Sequence, residues 1–220
     1  MASPKTVDRL VRAGVLVENA RGTLLAQGER PARVALILSG TFIGTWTSAD
    51  GRVADGGIVH ARLSGPSQFL GLTTLRGAPI ISGIVAVTPV TVVTWLSDEF
   101  RAIAASDPAV LTGLLDSSIY AIQLLNYLMQ LRTFTTAGSR LAGVLLQNET
   151  LCFGDAPVMR RGQLSALAGV TSQMVSRILR KWEAAGIVRR IGATGLELLD
   201  RSALQAQALP LADFPVPDPP

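Results

Sequence analysis

The stretch Arg160-Arg161-Gly162-Gln163-Leu164-Ser165-Ala166-Leu167-Ala168-Gly169-Val170-Thr171-Ser172-Gln173-Met174-Val175-Ser176-Arg177-Ile178-Leu179 decides how this chain is read. Leu164, Leu167 and Ala168 share one helical face, because residues three and four apart lie above one another. Gly169 permits the left-handed turn that ends this helix. Val170 is placed to plug the space before the next helix, and Thr171 to cap it. Val175, Ile178 and Leu179 then form an inward face, and Ser172, Gln173, Ser176, Arg177 and Arg180 an outward one. The pattern predicts a helix-turn-helix. Residues 186–191 and 195–199 follow as two strands joined by a short turn, a wing.

The outward face has the chemistry of a base reader. A helix in the major groove needs forked polar groups near its amino end. Arg177 suits guanine O6 and N7, Gln173 suits adenine N6 and N7, and each good pair discriminates by roughly 1–3 kcal/mol. Ser172 and Ser176 complete the base-reading set. Arg160, Arg161, Arg180, Lys181, Arg189 and Arg190 are placed for phosphates, which position a protein without specifying sequence. The net charge is +4, but residues 158–192 hold seven positive groups opposed only by Glu183. The rest of the chain carries 13 positive and 15 negative residues, so the excess is local, as phosphate contact requires. A solvated basic surface is the other reading of the charge taken alone.

Upstream, residues 15–97 read as short strands in an antiparallel sandwich or barrel. Val15–Val17, Val34–Leu38, Ile84–Val87 and Val90–Trp95 are separated by Gly28-Glu29, Ser39-Gly40, Asp50-Gly51 and Gly56-Gly57. Val34, Leu36 and Leu38 lie on one face of their strand and Ala35, Ile37 and Ser39 on the other, as in a strand buried on both sides. At Ser106-Asp107-Pro108 the pattern becomes helical to about Phe134, with Asp107 or Ser106 as cap. Leu111, Leu115, Ser118, Ile122, Leu125, Met129 and Arg132 recur every seven residues, the seam of a coiled coil, although an ordinary core helix shows a similar face. Leu114, Leu124, Leu128 and Leu131 widen the apolar side. Thr135–Gly138 reads as a hinge, and a further helix begins near Ser139 with Leu141, Val144 and Leu145 inward.

These motifs resemble the CRP/FNR family of bacterial transcription regulators. The matching pattern is Leu164…Ala168-Gly169-Val170-Thr171…Val175-Ser176-Arg177-Ile178-Leu179…Glu183…Gly186-Ile187. Gly22–Glu29, Ile37–Gly40, Phe69-Leu70-Gly71 and Arg140-Leu141-Ala142 extend the likeness over almost the whole chain. The resemblance implies an α+β protein with an N-terminal β-roll of the cyclic-nucleotide-binding type over residues 1–106. A dimerisation helix and hinge follow at 107–136, and a winged helix-turn-helix at 137–208. The proline-rich residues 209–220 are expected to be a disordered tail. A homodimer on a palindromic double-stranded DNA site follows, with RNA polymerase as a further partner of any activator. FNR-type recognition helices carry Glu, Ser and Arg where this chain has Gln173, Ser176 and Arg177, so the preferred half-site is expected to differ.

The effector region departs from the family. Its cyclic-nucleotide binders place Glu after the cassette glycine and an Arg-Ser pair further on. Here Leu72 follows Gly71, and Ile80-Ile81 stand where Arg-Ser is expected, with Arg76 and Ser82 close by. A buried phosphate without a cation costs several kcal/mol, so cyclic AMP is not expected to bind tightly. A cyclic-nucleotide response through shifted cassette residues is the alternative. Gly71, Leu72, Leu75, Ile80 and Ile81 suit a small apolar ligand or a site filled by its own side chains.

No cofactor is expected. Cys152 is the only cysteine and His60 the only histidine, which excludes a thiolate cluster and any Ser/His/Asp or Cys/His catalytic arrangement and leaves one candidate haem ligand. An enzyme is not expected. No apolar run of about 18 residues lacks a charge, so no membrane span is expected either, and a reducing cytoplasm is the compartment inferred.

Overall fold

The structure, a computed structural model, describes residues 2–26, 33–46, 60–78, 82–154, 157–192 and 195–208. The expected turns at Gly28-Glu29, Asp50-Gly51 and Gly56-Gly57, the residues Ile80 and Ile81, and the tail 209–220 lie outside that set. Two compact units are present. One holds residues 2–44 and 63–125 and the other 126–208, with 45, 46 and 60–62 grouped with the second. The division falls between Leu125 and Asn126, inside a helix.

The first unit begins with α1 (Pro4–Ala13), a helix where the sequence suggested only a polar start. Ser3 Oγ accepts from the Thr6 amide at 3.2 Å, and Pro4 occupies the first turn without losing a hydrogen bond. Trp95 Nε1 donates to the Leu10 carbonyl at 2.8 Å, satisfying an acceptor at the helix end. Then come β1 (Val15–Asn19), β2 (Leu24–Ala26), β3 (Arg33–Ser39), β4 (Phe42–Trp46), β5 (His60–Ser64), β6 (Phe69–Leu70), a 3-10 turn (Leu72–Arg76), β7 (Ser82–Ala86) and β8 (Val90–Leu96). They form two four-stranded sheets, ordered β1-β8-β3-β6 and β2-β7-β4-β5. β8 pairs antiparallel with both β1 and β3.

Period-two alternation on β3 and β8 divides the core. Ile37, Val90 and Val92 join Phe42, Ile84 and Ala86 in one cluster. Val34 and Trp95, on the opposite face, join Phe100 and Ala104, with Leu72 and Leu75 packed alongside. Val34 and Ile37 are fully buried on the two faces, but Leu38, next to a register shift, is 47% exposed, contrary to the alternation expected from sequence. A second unforeseen helix, α2 (Ser97–Ala105), covers the outer cluster. Burying these residues supplies about 1.5–3 kcal/mol for each large side chain, the main favourable term in the unit.

The long helix α3 (Pro108–Phe134) has the bounds its sequence predicts. Asp107 rather than Ser106 caps it, accepting from the Ala109 amide at 3.0 Å, while its other oxygen accepts from the Ser3 amide at 3.0 Å. Val110 and Leu114 pack on the outer cluster. Leu111, Leu115, Ile122, Leu125 and Met129 remain exposed, so among the described residues nothing covers this apolar stripe along the seven-residue seam. By length and composition α3 would also suffice to cross a membrane, with Asp116 and Arg132 as its charges. The same helix is also interrupted by Ser117, Ser118, Gln123, Asn126 and Gln130.

In the second unit α4 (Ala137–Gln147) begins two residues before the expected Ser139, because Thr136 Oγ1 caps it at the Ser139 amide, 3.1 Å away. Leu141 and Leu145 are fully buried, whereas Val144 is half-buried. The remaining elements are α5 (Glu149–Cys152), α6 (Arg161–Ala168), α7 (Ser172–Ala184), β9 (Val188–Ile191), β10 (Gly195–Leu198) and α8 (Arg201–Ala208). α8 was not anticipated. It packs on α4 and buries Leu204 completely.

Candidate nucleic-acid interface

α6 and α7 make the helix-turn-helix. Gln163 Oε1 accepts from the Arg160 amide at 2.8 Å, closing the first turn of α6. Gly169 ends α6 at φ 60°, ψ 47°, the left-handed geometry that favours glycine. Val170 is buried in the turn, and Thr171 Oγ1 accepts from the Met174 amide at 3.1 Å to start α7. The inward face of α7 is Val175, Leu179 and Trp182, while Ile178 is half-buried. Trp182 was missed by the sequence reading, although it continues the same stripe at three-residue spacing after Leu179. In α6, Leu164, Ala166 and Ala168 are buried and Leu167 is only half-buried.

The expected base readers gather on the other side. Gln173 and Arg177 are exposed one turn apart on α7, with no side-chain partner among the described residues. Ser176, half-buried, donates its hydroxyl to the Ser172 carbonyl at 2.9 Å. The exposed Ser172 lies 3.2 Å from Ser165 Oγ across the turn. Both hydroxyls retain acceptor lone pairs.

Arg160, Arg161, Arg180 and Lys181 are exposed and make no ion pair among the described residues. In the wing, β9 and β10 pair antiparallel and both of its arginines meet a carboxylate. Arg189 Nε donates to Glu197 Oε2 at 2.7 Å, its directly opposed neighbour on β10. Arg190 points to the other face, where Nε donates to Glu183 Oε2 at 2.8 Å, and its amide reaches the second oxygen of Glu183 at 3.2 Å. These bonds hold the Glu183 carboxyl below its ordinary range and raise the Arg190 guanidinium. Both wing arginines are therefore partly neutralised by carboxylates of the same domain. Glu197 lies just C-terminal of residues 158–192, where the positive charge is concentrated.

This arrangement can do one thing chemically, which is to offer a fork-shaped cation and an amide from a rigid helix amid unpaired positive charge. Residues 139–207 match the family model described as the Crp-like helix-turn-helix domain. Residues 139–207 thus form a Crp-like helix-turn-helix domain. Three solved structures extend the likeness to the whole chain. A CRP/FNR-family transcriptional regulator from Eubacterium rectale is 13% identical with a TM-score of 0.79, over 94% of this chain and 95% of its own. FixK2 from Bradyrhizobium japonicum is 21% identical with a TM-score of 0.67, over 88% and 96%. The c-di-GMP-responsive global regulator CLP from Xanthomonas campestris is 16% identical with a TM-score of 0.64, over 90% and 100%. No curated protein matches the sequence. The chain thus has the CRP/FNR-type transcriptional regulator fold, with its Crp-like domain at residues 139–207.

The effector candidates are distributed differently from the Crp-like domain's polar face. Gly71 adopts φ 75°, and Leu72 and Leu75 pack into the outer cluster with Val34, Trp95 and Phe100. Both leucines are half-buried against that cluster, as in the reading of a site filled by its own side chains.

Proposed function

We propose that the protein is a cytoplasmic homodimeric regulator that binds a palindromic site in double-stranded DNA, with α7 in the major groove. The observation that carries this reading is the exposed Gln173–Arg177 pair, one helical turn apart and unpartnered. Ser172, Gln173, Ser176 and Arg177 read bases. Arg160, Arg161, Arg180 and Lys181 hold phosphates, with a smaller contribution from Arg189 and Arg190 because each is already paired. The exposed stripe Leu111, Leu115, Ile122, Leu125 and Met129 joins two copies, giving the two-fold symmetry that a palindrome mirrors. In this organisation residues 1–106 are the effector-type domain, 107–136 the dimerisation helix and hinge, and 137–208 the DNA reader. RNA polymerase is a further partner if regulation is positive.

The reading excludes catalysis and a requirement for cyclic AMP. Leu72 in place of an acidic side chain, packed into the core, leaves no group there for a ribose hydroxyl. Selection of bound duplexes from a random library tests the DNA claim. A two-fold symmetric consensus is expected, and the absence of any enriched sequence overturns it. Calorimetry with cyclic AMP and cyclic GMP tests the second claim, and a micromolar dissociation constant reverses it.

A further inference from the structure

Arg132 near the end of α3 and Arg140 on α4 line one cleft, and neither forms an ion pair among the described residues. Arg140 is accounted for by helix ends. Its Nε donates to the Ala168 carbonyl at 2.8 Å and its Nη1 to the Thr135 carbonyl at 2.6 Å, satisfying acceptors at the end of α6 and just beyond α3. Arg132 is not. A guanidinium has five N–H donors, and none of those on Arg132 is hydrogen-bonded to a described residue, although the side chain is half-buried against Gly169.

The electrostatics of the cleft suit an anion. Burial, and then the neighbouring charge of Arg140, both press the Arg132 guanidinium below its ordinary range. Two like charges in a partly desolvated site repel each other, and an anion between them offsets both the repulsion and the lost hydration. Tyr127 and Gln147 line the same cleft and hydrogen-bond to one another there. The remaining lining is mainly apolar, with Leu131, Val144 and Leu167, which strengthens any charge pairing made there. The cleft's free volume of about 50 Å³ is several times the roughly 10–15 Å³ that one water needs, enough for a small oxyanion.

We propose that Arg132 and Arg140 form a binding site for a small doubly charged oxyanion of the phosphate class. The site goes beyond the DNA-reading proposal and shares no residue with it. An ion there would bridge the end of α3, the first part of α4 and the end of α6, so its occupancy stiffens the junction from which the helix-turn-helix starts.

Thermal unfolding of the full chain without DNA tests the site, with sodium phosphate compared against sodium chloride at matched ionic strength. A saturable rise in Tm is expected in phosphate only. Arg132→Gln should raise the half-saturating phosphate concentration at least about tenfold, the loss expected for one charge-assisted pair. An identical phosphate response in wild type and Arg132→Gln overturns the proposal. Duplex titrations distinguish the source of the phosphate. If Arg132→Gln weakens duplex binding but leaves the free-phosphate response intact, the groups belong to nucleic-acid contact and the ion site is refuted. Should the variant fold poorly, phosphorus NMR of phosphate with the wild-type protein decides the same question. Saturable broadening displaced by sulfate supports the site, and its absence removes it.

Discussion

Arg132 lies across the Cα of Gly169: a methyl group built on that glycine would fall 2.9 Å from Arg132 Nε. With φ at 60°, the glycine is needed for backbone geometry as well as for space. Gly169→Ala should therefore destabilise the second unit by about 1–2 kcal/mol from the left-handed conformation alone, plus the cost of displacing the arginine. Urea unfolding of the single variants and of Gly169→Ala with Arg132→Ala separates the two parts. The double variant should recover only the steric share.

Sequence preference and general affinity should separate between two arginines. Arg177→Ala should reduce discrimination at one base position by roughly 1–3 kcal/mol. Arg161→Ala should weaken all duplexes alike and reduce the salt slope by about one. Fluorescence anisotropy with matched and scrambled duplexes at several salt concentrations measures both. An Arg177→Ala protein with full selectivity contradicts the base-reading role.

Glu183 holds Arg190 on the wing through two side-chain oxygens. Glu183→Gln removes the competing charge, so affinity for non-specific duplex should rise and its salt dependence should steepen. Unchanged non-specific binding would show that Arg190 does not reach a phosphate.

The stripe on α3 should make the dimer. Leu115 and Ile122 are 59% and 58% exposed, so Leu115→Glu with Ile122→Glu should leave the fold of one chain intact. Sedimentation should then report a monomer where the wild type is a dimer, with helical circular dichroism retained. A monomeric wild type at micromolar concentration contradicts the interface, and co-sedimentation of the wild type with lipid vesicles would assign the stripe to a membrane instead.

Asp107 accepts hydrogen bonds from Thr6 and Ser3, which hold its carboxyl down at about 2. The folded state therefore favours the ionised form, and this stabilisation is complete above about pH 4. It declines as pH falls towards 2. Asp107→Asn should accordingly be less stable than wild type at neutral pH, and the difference should shrink through that window in an acid titration followed by fluorescence. A difference independent of pH would mean that the carboxylate charge is not what joins α1 to the start of α3.

Local signals were legible where they were dense. Asp107-Pro108 marks the start of α3, and Gly169-Thr171 marks the turn of the helix-turn-helix, because capping and left-handed geometry depend on a few adjacent residues. Ser3-Pro4 carries the same kind of start signal for α1, yet without a long apolar run behind it the segment read as merely polar. α2 and α8 were hidden for a related reason. Their helical faces are short and acquire meaning only from the core they cover.

The sequence by itself determined the helix-turn-helix, the unpaired polar side of α7 and the apolar stripe of α3, all of which follow from side-chain period and capping within one short segment. Tertiary structure alone decided that Arg189 and Arg190 meet Glu197 and Glu183, that Leu72 and Leu75 enter the outer core, and that Arg132 comes to share a cleft with Arg140. Such meetings depend on which non-adjacent segments close upon one another, and no local periodicity encodes that.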